Sequence, residues 1–150
     1  MQNPSILIGI GNPLLQDDRA GIEVVERIQR LNLPVDVEIM HCVGFEVLDK
    51  VLGYEQAFVV DACMLGHEHG ALLEVGVEDI FTRAGLSASH AVTLGATLKT
   101  GMVIFPEDMP RDLRIFLIQA KTVEDFSPDL SPEVERGVSR AVERIAALLT

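Results

Sequence analysis

The apolar positions of this chain change their period several times, and each change marks a new element. Residues 5–10 form a near-continuous apolar run closed by glycine, the pattern of a strand buried on both faces. Ile22, Val25 and Ile28 then recur at helical spacing with charges between them, which predicts a helix over 19–31. From Val35 to Val43 the period falls to two. Val35, Val37 and Ile39 oppose Asp36 and Glu38, as in a half-covered strand. A short helix is expected over 44–52, a second buried strand over 56–60 that closes at Asp61, and another strand over 71–77. A helix over 90–101, a last central strand over 113–120 and a closing helix over 131–149 complete the chain. The closing helix carries a start signal, with Ser131 as N-cap and Pro132 in the first turn. Val134, Val138, Ala141, Val142, Ile145 and Leu149 line its inner face.

The link from Asp61 to Gly70 is too short for a crossover helix, so the strand after it is expected to return antiparallel to its predecessor. No repeat, low-complexity tract or linker divides the sequence. Phe105 to Pro110 reads as an exposed loop, and Phe126-Ser127-Pro128 as a connector whose Phe packs against the sheet. The expectation is therefore one α/β domain over residues 1–150: a twisted mixed sheet of about five strands, one antiparallel, between helices.

Composition removes several function classes. The chain is 48% apolar but only 5% aromatic, so its core is aliphatic and offers no stacking platform for bases. A net charge of −11 argues against a nucleic-acid partner, which needs clustered Lys and Arg. No apolar stretch approaches the ~18 residues of a membrane span. The start, Met-Gln-Asn-Pro, has no basic leader. Cys42 and Cys63 form no CxxC pair. A cytoplasmic chain with reduced thiols is expected.

The chemistry concentrates where strands end. After the first strand, Gly9-Ile10-Gly11 turns towards Asp17 and Asp18 at the mouth of the next helix. Phosphate binding there requires bare amides at the helix start, and two aspartates would repel it. The loop suits a cation. Asp61 closes the second buried strand, and His90 in Ser87-Ala88-Ser89-His90 stands where a helical pattern opens. In an open α/β sheet, such positions gather at the carboxyl edge. Two carboxylates and an imidazole are sensible ligands for nickel, zinc or iron. Each residue also has an ordinary structural role open to it. Asp18 can satisfy helix amides, Asp61 can cap a strand end, and His90 can be a plain first-turn residue.

The run from Gly9 to Gly21, GIGNPLLQDDRAG, resembles the N-terminal signature of the [NiFe]-hydrogenase maturation proteases. Val60-Asp61-Ala62 with its following loop to Gly70, and Ser89-His90 with Leu94 and Gly95, resemble that family's second acidic motif and its histidine motif. The resemblance covers essentially the whole chain. It implies a phosphorylase/hydrolase-like mixed sheet and an endopeptidase that trims the C-terminal extension of a nickel-loaded hydrogenase large-subunit precursor. It further implies that Asp18, Asp61 and His90 contact nickel and act in the cleavage, the nickel arriving with the substrate and zinc or cadmium standing in as surrogates. Two departures stand out. Asp18 is one methylene shorter than the glutamate of some members. The loop Cys63-Met64-Leu65-Gly66-His67-Glu68-His69-Gly70 lacks the proline many members carry before the last glycine, and its His67-Glu68-His69 cluster is a possible extension of the metal site.

Three other classes remain open on the residues. A nucleotide-binding module is suggested by Gly9-x-Gly11 but lacks the third glycine, since position 14 is Leu. A cysteine hydrolase would pair Cys63 with His90. A scaffold or chaperone would hold the nickel subunit without cutting it. The absence of GxSxG and HExxH leaves serine and zincin chemistries without footing. Metal-assisted hydrolysis is the favoured mechanism.

Overall fold

In the computed structural model, which describes residues 3–82, 91–123 and 125–150, the N-terminal apolar run is strand β1 (Ser5–Ile10), buried at every position. It is followed by α1 (Ala20–Arg30), β2 (Asp36–Met40), α2 (Phe45–Val51) and β3 (Gln56–Cys63). Then come β4 (Leu72–Val75), α3 (Val77–Thr82), α4 (Ala91–Ile104), β5 (Asp112–Gln119) and α5 (Pro132–Leu149). The strands form one sheet in the order β2-β1-β3-β5-β4. Only β4 is antiparallel, so the expected mixed α/β sheet is found.

Period-two alternation sends side chains of the central strands to two faces, and each face has its own helices. Ile6, Ile8, Ala57, Val59, Ile115 and Leu117 pack under α2, α3 and α4. Leu7, Phe58, Val60, Phe116 and Ile118 pack under α1 and α5, where the Phe58 and Phe116 rings meet at 6.1 Å. Arg27 of α1 clamps these two helices, with forked bonds of 2.6 and 2.8 Å to Glu135 and a third of 3.1 Å to Glu23.

Several sequence expectations are corrected. The strand after Asp61 does return antiparallel, but it pairs with β5, which lies between it and β3. A short link excludes a crossover helix; it does not force adjacency. The segment read as one strand over 71–77 is a four-residue strand that passes into α3. Helix α4 continues past Gly101 to Ile104: this glycine is a point of close packing, where a Cβ would strike Leu48 and Met109, and not a helix end. On α5, Val142 and Leu149 are only partly buried. Phe126 does not pack against the sheet but stands 82% exposed. Ser131 precedes α5 as expected, yet its hydroxyl makes no cap bond and donates to Asp17 instead. Among the described residues, no helix is long and apolar enough to cross a membrane.

Helix α1 is seated directly on the sheet. A Cβ at Gly21 would strike the carbonyl oxygens of Val60 and Ile10, both backbone atoms that cannot rotate away. Gly21→Ala is therefore expected to destabilise the protein by about 1–3 kcal/mol, as overpacking does, measured by urea unfolding. A midpoint equal to that of the parent would contradict this seating.

Candidate active site

The strand order reverses between β1 and β3. From β1 the chain moves through α1 on one face to β2, then through α2 on the other face back to β3 on β1's far side. Such a switch point opens a crevice beyond the carboxyl ends of the two strands. The loop leaving β1 and the last residues of β3 line it.

The β1 loop is closely fitted. Gly11 donates its N–H to Met40 (3.0 Å) and accepts from His41 Nδ1 (3.1 Å), tying the loop to the end of β2. A Cβ on Gly11 would collide with the carbonyl of Asp18, so glycine lets the chain fold back on itself. Asn12 Oδ1 accepts from Leu14 N–H (2.9 Å), the side-chain turn expected of Asn there. Asn12 N–H donates to Asp18 Oδ2 (3.0 Å). An amide that a phosphate would require is thus occupied by a carboxylate, which weakens the nucleotide-binding alternative.

The adjacent aspartates have different work. Asp17 and Asp18 lie in a 3-10 turn, Asp17–Arg19, that the sequence pattern did not reveal. Asp17 is fully buried. Its carboxylate accepts from Lys121 N–H (2.8 Å), Thr122 N–H (3.0 Å), Ser131 N–H (2.9 Å) and the Ser131 hydroxyl (3.0 Å). It anchors the loop between β5 and α5. Asp18 faces the loop of β1 and influences Asp61 electrostatically.

Asp61 lies inside β3 rather than at its end, paired with Leu117 of β5, because the strand runs two residues further to Cys63. By alternation it belongs to the face of Ala57, Val59 and Cys63, which α2 and α4 cover. It is only 5% exposed. Burial, and then the charge of Asp18, push its carboxyl up to about 8, against a smaller lowering by a backbone hydrogen bond at Ala62. Two carboxylates held together this way, one of them desolvated, form a place where a cation is favourable.

Gln119 at the end of β5 is a site residue that sequence reasoning missed. It is 2% exposed, and its Oε1 accepts from Leu65 N–H (3.0 Å) and His67 N–H (3.2 Å), shaping the loop after Asp61. Nothing in a strand's last polar residue announces such a role. The Cys63 thiol, buried and near Asp61, is pushed up to about 12, so its thiolate is not available as a nucleophile near neutral pH. His69 lines a cavity with Glu68, Ala71, Glu133, Arg136 and Arg140, a set that includes neither Asp18 nor Asp61. Among the described residues, no group of three or more His, Cys, Asp or Glu could hold a metal ion. His90 lies outside the described residues; its neighbour Ala91 opens α4 and is buried.

Comparison with known proteins agrees with this architecture. The family model described as hydrogenase maturation protease matches residues 22–148. A putative hydrogenase maturation protease from Methanocaldococcus jannaschii is 28% identical, covering 93% of this chain and 92% of the relative. The hydrogenase 2 maturation protease of Escherichia coli is 26% identical over 96% of this chain and 89% of its own. The solved structure of the [NiFe] hydrogenase maturation protease HybD from Thermococcus kodakarensis superposes with a TM-score of 0.80 at 25% identity, over the full length of both chains. With a site of paired carboxylates at the switch point of a matching fold, this chain belongs to the hydrogenase maturation protease family.

Proposed function

We propose that this protein is an endopeptidase that removes the C-terminal extension of a nickel-loaded [NiFe]-hydrogenase large-subunit precursor, and that Asp18, Asp61 and His90 contact the nickel carried by that substrate. The observation that supports it most is Asp61, a nearly buried carboxyl at the β1/β3 crevice beside the carboxylate of Asp18. Before substrate arrives, Asp61 retains its proton into the neutral range. A divalent cation near both carboxylates favours release of that proton, since ligands bind metals deprotonated. Oxygen ligands with an imidazole suit nickel. Nickel brought by the precursor would polarise the scissile carbonyl for attack by water, and a site carboxylate would take the water's proton and return it to the departing amine. The metal thereby identifies a correctly loaded precursor.

The test is incubation of the purified protein with nickel-loaded precursor and with the same precursor lacking nickel, read by mass. Loss of a short C-terminal peptide from the loaded sample alone is the expected result. Binding of loaded precursor without any cleavage would replace the protease reading with that of a holding protein.

A further inference from the structure

The four parallel strands β2, β1, β3 and β5 all end at the same edge of the sheet, and each is followed by a loop or helix start. Each of these four connections exposes one large apolar side chain. Leu14 follows β1 (66% exposed), Phe45 opens α2 after β2 (68%), Met64 follows β3 (55%) and Phe126 follows β5 (82%). Exposed apolar residues scattered singly need no explanation. Here one comes from every parallel strand, around the crevice of Asp18 and Asp61, on a protein of net charge −11.

The backbones beneath three of these side chains are fixed. Leu14 N–H is held by Asn12, and the neighbouring Leu15 forms a β-bridge with Phe126. Gln16 N–H donates to the Asp125 carbonyl (2.8 Å), so the backbones beside Leu14 and Phe126 are joined. The backbone just after Met64 is held by Gln119 Oε1, which accepts from Leu65 N–H and His67 N–H. Exposed apolar side chains on a fixed backbone lower the entropic cost of binding a partner.

We propose that Leu14, Phe45, Met64 and Phe126 form an apolar rim that grips the substrate segment on either side of the scissile bond. The occupant is an extended polypeptide stretch with apolar side chains, belonging to the same client that the proposed function assigns. A segment approaching Asp61, which is nearly buried, passes between the loops that carry these residues. The inference rests on that functional reading and adds the residues that set affinity for the client's chain, apart from its metal.

The opposite edge supplies the control. Val103 and Ile104 close α4 just before the turn into β5, at the amino edge of the sheet, and are 74% and 60% exposed. The experiment compares the fourfold variant Leu14→Ser, Phe45→Ser, Met64→Ser, Phe126→Ser with the double variant Val103→Ser, Ile104→Ser. Cleavage of loaded precursor gives KM and kcat, and thermal melting checks folding. The rim variant is expected to raise KM about tenfold or more, with kcat little changed, because apolar contact area is lost without touching the carboxylates. The α4 variant should leave KM unchanged. If the fourfold variant melts early, Leu14→Ser and Phe126→Ser singly must still raise KM. An unchanged KM in folded rim variants, with the parent cleaving normally, overturns this inference alone. A parent that neither binds nor cleaves the precursor overturns the functional reading and the rim with it.

Discussion

Asp61→Asn is expected to stabilise the metal-free protein at pH 8 while abolishing cleavage of the precursor. Unfolded, this carboxyl titrates near the usual ~3.9, whereas in the fold burial and then Asp18 push it up to about 8. Between those values the native state holds a proton that the unfolded state has lost. Its contribution to stability is therefore most favourable below about pH 4, falls as pH rises, and levels off above about pH 8. Asparagine has nearly the same shape and carries no charge, so the penalty disappears. The gain at pH 8 is on the order of a few kcal/mol, or roughly 10 °C in melting temperature for a chain of this size. Below about pH 4 the two proteins should melt together. Loss of activity follows because an amide is a poor ligand and cannot accept a proton from water. Melting curves from pH 4 to pH 9, alongside a mass assay of precursor cleavage, check both halves. A melting difference that does not vary with pH would mean that Asp61 titrates normally, and full activity in the variant would remove it from the chemistry.

Asp17→Ala should cost far more stability than Asp18→Ala, although the two residues are neighbours. Asp17 is wholly buried and satisfies three backbone amides and one hydroxyl, on residues 121, 122 and 131. Removing the carboxylate takes the acceptor from the buried Ser131 N–H and hydroxyl and from the partly exposed Lys121 and Thr122 amides, at a cost of about 3–5 kcal/mol. The segment from Lys121 to Ser131, which also receives a bond from Arg19 to the Pro128 carbonyl, loses its anchor to the carboxyl edge. Asp18 accepts one backbone bond, from Asn12, so its removal should cost only about 1 kcal/mol. Its removal is expected to act on cleavage, as the proposed function requires. Urea unfolding of both variants decides the matter, and equal midpoints would refute the division of labour between the two carboxylates.

That division shows where sequence reading stopped. The pair Asp17-Asp18 after a glycine turn was legible as a functional feature, and the motif-level resemblance pointed to Asp18. The partners that make Asp17 structural lie more than a hundred residues away, on the loop before α5, and local pattern carries no trace of them. Ser131 failed as a cap for the same reason: its hydroxyl is turned to donate to a buried carboxylate from a distant turn, and its oxygen accepts no bond from the helix amides. Asp61 was found because an acid at the close of an apolar run is conspicuous, but its strand continued to Cys63 because β5 stays paired with it throughout.

The sequence by itself determined the elements. Apolar period marks the five strands and the helices α1, α2, α4 and α5, though not α3 or the turn at Asp17, and a short connection after Asp61 fixes the direction of β4. The glycines at 9, 11 and 21 mark the close strand–helix contact, and the acids beside them mark the candidate site. Only the tertiary structure decided which strand β4 joins, which aspartate is an anchor, how far Asp61 is desolvated, and that four exposed apolar side chains share one edge. Those properties depend on distances between residues far apart in the chain, and such distances arise only when the sheet closes and brings the ends of β1, β2, β3 and β5 together.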